Sequence, residues 1–281
     1  MTGAGGAGRV VVVGSLNLDT VLEVERIPSP GETVPSRGGA FMPGGKGGNQ
    51  AAAAAAAGAS TRIVAAVGAD GERYLRHLAA AGVDTSAVTR LPDSPTGAAT
   101  VIVDAAGENV IVVTEGANGR VPSARVAAEE WTAADVVLVQ FEIPAEVVRA
   151  AAKRARATGA TLVVNPSPWR DDLSDVLAQA HVVIVNEHER RQLGEDVADD
   201  RVCTTLGGEG ARWGSHTATP QPITPIDTAG AGDAFAGTLA AALVRGLNRG
   251  EALQHAVDAA TAACLRRGAQ QWRADGGGAL R

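Results

Sequence analysis

The segment Asp227–Gly237, DTAGAGDAFAG, constrains this chain more than any other. It places Gly-Ala-Gly directly ahead of an apolar run, Ala234–Leu243, that is predicted to be helical, with Asp233 at the junction. A glycine-rich turn entering a helix aims several backbone N–H groups at one point, where the helix dipole adds partial positive charge. Such a cradle suits an anion, most naturally a phosphoryl group. Asp233 then stands where a carboxylate takes a proton from a hydroxyl attacking that group. Asp is equally a favoured helix N-cap, so the segment alone reads either way.

The remaining sequence narrows the choice. A chain of 281 residues with 45% hydrophobic content supports one large α/β domain or two small ones. Its net charge of −6, without any basic block, argues against nucleic acid as a partner. The two cysteines, Cys203 and Cys264, fit no metal spacing and are expected to be free thiols. Met1–Gly8 lacks a cationic leader, and the alanines Ala51–Ala57 are too few to span a bilayer. A soluble, cytoplasmic protein with no membrane partner is expected. Met1–Gly8 itself is expected to be a disordered tail.

From Arg9 the pattern becomes regular. Arg9–Val13 reads as a buried strand, followed by the polar residues Asn17 and Asp19, where an open α/β sheet places ligands and where turn formers are also common. Thr20–Val24 and Thr33–Phe41 read as short strands of a small separate sheet. Pro43–Gln50, PGGKGGNQ, opens an alanine helix, Ala51–Ala57. It is not a phosphate loop of the G-x-x-x-x-G-K-[ST] type, because Gly47 follows Lys46; its glycines allow close backbone approach to a polar ligand. Thr61–Val67 reads as a strand, Glu72–Ala81 as a helix, and Thr96–Val103 with Asn109–Val113 as a hairpin. Strands Asp135–Val139, Thr161–Val164, His181–Val185 and Arg201–Thr205 then each end in a polar or glycine-rich cluster, with a helix Pro144–Ala157 between the first two. Repeated clusters at strand ends predict a doubly wound, mostly parallel sheet flanked by helices, with its site along one edge. His77, His181, His216 and His255 have no metal spacing and no paired nucleophile.

Taken together, these residues place the chain among known sequences. GSLNLD at Gly14–Asp19, GGKGGNQA at Gly44–Ala51, ENVIVVTEGAN at Glu108–Asn118, NPSP at Asn165–Pro168, NEHE at Asn186–Glu189, TLGGEG at Thr205–Gly210, DTAGAGDAF at Asp227–Phe235 and RRGAQ at Arg266–Gln270 are similar to motifs of the ribokinase/PfkB carbohydrate kinases. The chain resembles that family, and its ribokinase branch in particular, from Arg9 to about Gln270. The resemblance implies a single ribokinase-like α/β domain over 9–270, with a small β-sheet lid from about 20–41 and 96–113 and a C-terminal tail over 271–281. It implies ATP-dependent phosphorylation of the primary hydroxyl of a sugar such as ribose, with Asp233 as general base. Gly230, Ala231 and Gly232 would supply the amides of the anion hole. Asn17, Asp19, Gly45, Lys46, Gly47, Gly48, Asn49 and Glu142 would bind the sugar. Asn186 and the run Thr205, Leu206, Gly207, Gly208, Glu209 and Gly210 would contact ATP, and Glu189 would organise Mg²⁺ through water. An activating K⁺ would be held by Asp227, Ala229, Ala263, Arg266 and Gly268, and two copies would pair through the lid. Two other readings stay open at this point: a related kinase acting on deoxyribose, another sugar or a nucleoside, and a non-catalytic binding protein on the same fold. The chain between Glu189 and Thr205 holds only a short acidic stretch, Gly194–Asp200, and so has room for one short helix, about Glu187–Leu193.

Overall fold

The computed structural model describes residues 8–195, 197–271 and 279–280. The expected tails therefore fall largely outside the described residues. Of their described parts, Gly8 abuts the Ala134 carbonyl, and Ala279–Leu280 forms a short strand instead of continuing as a tail.

In the first half of the chain the strands are β1 (Val10–Val13), β2 (Asn17–Glu23), β3 (Gly38–Gly44), β4 (Thr61–Val64), β5 (Ala66–Gly68), β6 (Val83–Asp84), β7 (Thr89–Leu91), β8 (Ala98–Val103) and β9 (Asn109–Thr114). The helices there are α1 (Lys46–Ala56), α2 (Glu72–Ala80) and α3 (Ser123–Ala127). The second half holds β10 (Val136–Gln140), α4 (Ala145–Thr158), β11 (Thr161–Asn165), α5 (Ser174–Gln179), β12 (Val182–Asn186), α6 (Glu187–Leu193) and β13 (Val202–Thr205). It closes with β14 (Ala211–Trp213), β15 (His216–Ala218), α7 (Ala231–Val244), α8 (Arg249–Ala263) and β16 (Ala279–Leu280).

Nine strands form the main sheet in the order β15-β14-β13-β12-β11-β10-β1-β4-β6. All neighbours are parallel except the β13–β14 and β14–β15 pairs. The chain runs from β1 to β4 on one side and later returns to β10 on the other. The strand order thus reverses beside β1, where open α/β sheets form a crevice at the strand ends. Successive valines of β1 face opposite layers. Val10 and Val12 pack with α1, α2, α7 and α8, while Val11 and Val13 pack with α3, α4, α5 and α6. Burial on both faces explains the unbroken valine run.

A second sheet, in the order β16-β3-β2-β8-β9, stands apart as the small lid. Its bounds differ from expectation. The strand expected over Thr33–Phe41 begins only at Gly38, since Pro35 has no amide to donate and the Ser36 hydroxyl bonds the carbonyls of Glu23 and Gly38. Asn17 and Asp19, expected just past the carboxyl end of β1 at a ligand or turn position, lie on β2. The strand expected over Thr61–Val67 divides at Ala65, whose carbonyl accepts the Thr89 amide, and β5 pairs with β7 in a separate two-stranded sheet. The short acidic stretch near Gly194 still contributes to the core, for Val197 is buried beside Leu193. Among the described residues, no helix is long and apolar enough to cross a membrane.

One packing contact positions the site. Helix α7 is buried along most of its length and crosses α1 at Gly237. A Cβ at Gly237 would strike the Gln50 carbonyl and, 2.8 Å away, the Ala53 methyl. Gly237→Ala is therefore expected to lower the unfolding free energy by about 1–3 kcal/mol through overpacking. That loss should appear despite the better helix propensity of Ala, worth about 1 kcal/mol. Gly208→Ala is the control, because no atom lies within 4 Å of a Cβ there. Urea denaturation checks both; a Gly237→Ala protein as stable as the parent would remove the close-approach argument.

Candidate active site

Helix α7 starts earlier than the sequence suggests. Its first residue is Ala231, and Gly230 is the N-cap in a left-handed conformation with φ 76°. Gly is required there twice over, because a Cβ would also strike Ala269. The Gly-Ala-Gly stretch is thus the cap and first turn of the helix rather than a turn ahead of it. Asp233 is the third helical residue, not the N-cap. The first helical bond runs from the Ala234 amide to the Gly230 carbonyl; ahead of it the Ala231 amide bonds the Thr228 carbonyl at 3.2 Å, which leaves the Gly232 amide at the helix end.

Asp233 is buried, with 7% of its surface exposed. Both of its oxygens are held by side-chain amides of α1. Asn49 Nδ2 donates to Oδ2 at 2.8 Å, and Gln50 Nε2 donates to Oδ1 at 2.9 Å. These donors come from the segment expected to be a loop, because α1 begins at Lys46. Within its first turns, Gly47 abuts the backbone of Gly14 and Ser15, and Gly48 abuts the Tyr74 hydroxyl. Those two glycines, expected against a ligand, are turned towards the protein and seat α1 on the β1–β2 connection. Gly45 caps α1 with φ 80°.

A second acidic cluster lies where the lid joins the main sheet. Asn17 and Asp19 alternate with Leu18 on β2, so they share one face. Asp19 accepts the Ala99 amide at 3.0 Å, and Asn17 Oδ1 accepts from Asn118 Nδ2 at 2.8 Å. The Asp19 carboxylate folds over Gly44, where a Cβ would collide with it. Glu142 accepts the Ser15 hydroxyl at 2.5 Å and the Lys46 amide at 2.9 Å. Burial, together with the charge of Glu142, pushes the Asp19 carboxyl up to about 6. Burial also drives the Tyr74 phenol far above its usual range, with Asp19, Asp233 and Glu142 adding to the effect. The two acidic clusters therefore flank one buried phenol.

Asp233 also lines a cavity of about 140 Å³. Lys46, Asn165, Ser167, Ile184, Asn186, Glu189, Thr205, Gly230 and Gly232 complete its wall. Asn186 and Glu189 are locked as a capping box at the start of α6, each accepting the other's backbone amide. Of Thr205–Gly210, only Thr205 reaches this wall; Gly207, Gly208 and Glu209 form an exposed single turn, and Leu206 N–H bonds the Gly210 carbonyl. Asp227 ties two backbone segments together, accepting the Ala229 and Gly268 amides at 2.8 Å each. Ala263 and Arg266 line a larger cleft of about 610 Å³ along α1, α7 and α8, which meets the site through Asn49, Gly230 and Gln270. Among the described residues, no cluster of three or more acidic, His or Cys side chains could hold a metal by itself.

A buried acid lining a cavity at a helix start does not by itself name a family. Residues 7–274 match the family described as pfkB family carbohydrate kinase. This chain belongs to that family. The chain is 34% identical to a ribokinase of Bacillus subtilis, over 93% of this chain and 94% of the relative. The structure superposes on the ribokinase of Cryptococcus neoformans in complex with ADP with a TM-score of 0.82 and 30% identity, covering 93% of this chain and 95% of the other. It also matches Arabidopsis thaliana ribokinase complexed with ribose and ATP, with a TM-score of 0.79 and 28% identity over 93% and 94% of the two chains.

Within this pfkB-family site, several residues carry no role in the sequence reading. Gln50, Gln270, Ser15 and Asn118 bond site residues directly, while Gln140 and Asn165 bond Gln50 and Tyr74 bonds Gln270. A signal did exist for some of them. Gln50 is a lone amide entering a run of alanines, and Asn165 and Gln140 end buried strands.

Asp19 generates a pH-dependent expectation. Its folded-state value exceeds the ordinary one, so the folded protein holds that proton more tightly than the unfolded chain. Its contribution to stability is therefore largest at low pH and falls as pH rises from the ordinary carboxylate range through about 6. Asp19→Asn keeps an oxygen for the Ala99 amide and removes the charge. Its Tm should match the parent's near about pH 4 and exceed it near about pH 8. An equal gain at both would show that the charge is not what burial penalises.

Proposed function

We propose that this protein transfers the γ-phosphoryl group of ATP to the primary hydroxyl of D-ribose, giving D-ribose 5-phosphate and ADP. The observation that carries this reading is the position of Asp233. It lines the cavity walled by Asn186, Glu189 and Thr205, and Lys46 on the same wall bonds Glu142 of the polar cluster through its amide. Two solved relatives, one in complex with ADP and one complexed with ribose and ATP, support the two substrates.

In this reading the carboxylates of Asp19 and Glu142, with Asn17, Lys46 and Asn49, accept and donate hydrogen bonds to sugar hydroxyls. The primary hydroxyl faces Asp233, which takes its proton. The hydroxyl oxygen bonds to the γ-phosphorus as the bond to the bridging oxygen breaks in line with it, and ADP leaves. In the run Gly230–Gly232 the amides of Gly230 and Gly232 stabilise charge on the transferring group at the start of α7, the Ala231 amide being bonded to the Thr228 carbonyl. Positioning and charge stabilisation supply most of the acceleration. Mg²⁺ commonly binds through phosphates with one or two carboxylates, which suits Glu189 on the cavity wall. K⁺ would be held by Asp227 and backbone carbonyls near Ala229, Ala263, Arg266 and Gly268, a group drawn together by the Asp227 bonds. The free thiols Cys203 and Cys264 accord with a cytoplasmic setting. Strand β9 is a lid edge with Val110, Ile111, Val112 and Val113 all exposed, which favours pairing of two copies through the lid.

Asp233→Asn is expected to lower the rate of phosphoryl transfer about 10²–10⁴-fold while sugar binding persists, since shape is kept and the base is lost. A coupled assay for ADP release and calorimetry with ribose check the two halves. Retention of more than about a tenth of the rate contradicts the base assignment. In kcat/KM, ribose should exceed 2-deoxyribose, xylose and fructose, because a buried polar group left without its hydroxyl costs about 1–3 kcal/mol. A preference for any of the three contradicts the assignment of ribose.

A further inference from the structure

The two donors on Asp233 are the ends of two side-chain relays, each with its direction set by a backbone carbonyl. On one arm, Asn165 Nδ2 donates to the Ile184 carbonyl at 3.0 Å, which turns Asn165 Oδ1 towards Gln50. Gln50 Nε2 donates to that oxygen at 3.1 Å and to Asp233. Gln50 Oε1 in turn accepts from Gln140 Nε2 at 2.5 Å. Gln50, Gln140 and Asn165 are all buried. On the other arm, the Tyr74 hydroxyl donates to the Gly44 carbonyl at 2.6 Å and so accepts from Gln270 Nε2 at 2.9 Å. Gln270 Nε2 also donates to Asn49 Oδ1 at 2.7 Å, leaving the Asn49 amino group for Asp233. Gln270 Oε1 faces His77 Nε2 at 3.0 Å, which places the proton of that ring on Nε2.

An amide presents a donor or an acceptor according to which way it is turned. Here a backbone carbonyl, which only accepts, stands at the far end of each arm. Each amide in the series is thereby turned so that an N–H group, and no oxygen, meets Asp233. We propose that Gln50 and Gln270 are positioning residues of the reaction: they fix the Asp233 carboxylate in one orientation, with each oxygen holding a lone pair for the incoming proton. This rests on the reading of Asp233 as general base. It explains why amides fill a space that elsewhere in α1 is filled by alanine, and why Gln270, at the end of the RRGAQ motif, reaches back to α1.

The test is Gln50→Glu, near-isosteric with a carboxylate in place of the donor, alongside Gln50→Leu and Gln270→Leu. Asp233→Asn serves as the reference. Each kcat should fall about ten- to a hundredfold, the worth of a hydrogen bond to a charged group. The KM for ribose should stay within about twofold in the two Gln50 variants, since Gln50 bonds none of the proposed sugar contacts. The acidic limb of the pH–kcat profile should move up by about one pH unit, because the ionised base has lost a donor. Lys46 and Glu189 face Asp233 across the small cavity, and Asp19, Glu142, Tyr74 and His77 surround the two arms. All are retained in every variant, so a moved limb in the two Leu variants reports the missing amide. A merely structural role would scale kcat with the folded fraction and leave the limb in place, and that outcome overturns the proposal. If Gln50→Glu does not fold, Gln270→Leu on the other arm decides by the same profile. An inactive Asp233→Asn enzyme with parent-like Gln50 and Gln270 variants overturns the positioning role alone. An active Asp233→Asn enzyme overturns the base assignment and the proposal with it.

Discussion

The site depends on the close crossing of α1 and α7. Without a side chain at Gly237, the two helices approach until the Gln50 carbonyl lies over α7. That approach brings two adjacent amides, Asn49 and Gln50, onto the two oxygens of one carboxylate. A residue larger than glycine at the crossing would separate the donors from Asp233, even though it lies one turn away from the chemistry. The alanines of α1 and α7 serve the same end, since small side chains let a buried polar network sit between two helices and a sheet. A buried polar group is costly unless bonded, and in this network Gln140 Oε1 is buried without a partner while its Nε2 bonds Gln50.

The lid side follows a different principle. Asp19 and Glu142 are brought near each other at a place where burial penalises ionisation of Asp19. A carboxylate kept under such conditions opposes folding and favours a ligand rich in hydroxyls, which supplies the missing hydrogen bonds. The structure thus spends stability where the sugar is proposed to bind. On the side where the nucleotide is proposed to bind, by contrast, Asn186 and Glu189 satisfy each other in a capping box.

Much of this was legible in the sequence, and the reasons differ by element. The buried strands β1, β10, β11, β12 and β13 are runs of β-branched residues ended by polar clusters, and both run and cluster are local signals. The helix starts were harder. Gly-Lys-Gly-Gly and Gly-Ala-Gly look like turns by propensity, yet both belong to first helical turns, where orphan amides and glycine-permitted contacts outweigh propensity. Helix α8 and the β14–β15 hairpin carry weak periodicity, and tertiary packing against α7 and β13 defines them. The network of Gln50, Gln140, Asn165 and Gln270 joins residues up to 221 positions apart, counting its Gln270–Asn49 bond, so no local pattern could reveal it.

The central claim is that Asp233 presents the primary hydroxyl of ribose to the phosphoryl group held on the other side. The most direct measurement is the site of the new bond. Uniformly carbon-13-labelled ribose, incubated with the protein, ATP, Mg²⁺ and K⁺, is read by phosphorus–carbon coupling in NMR. The account predicts a single phosphosugar whose phosphorus couples to the carbon bearing the primary hydroxyl and to its neighbour. A product phosphorylated at the anomeric or a secondary hydroxyl, or ATP consumed without any phosphosugar, would contradict it.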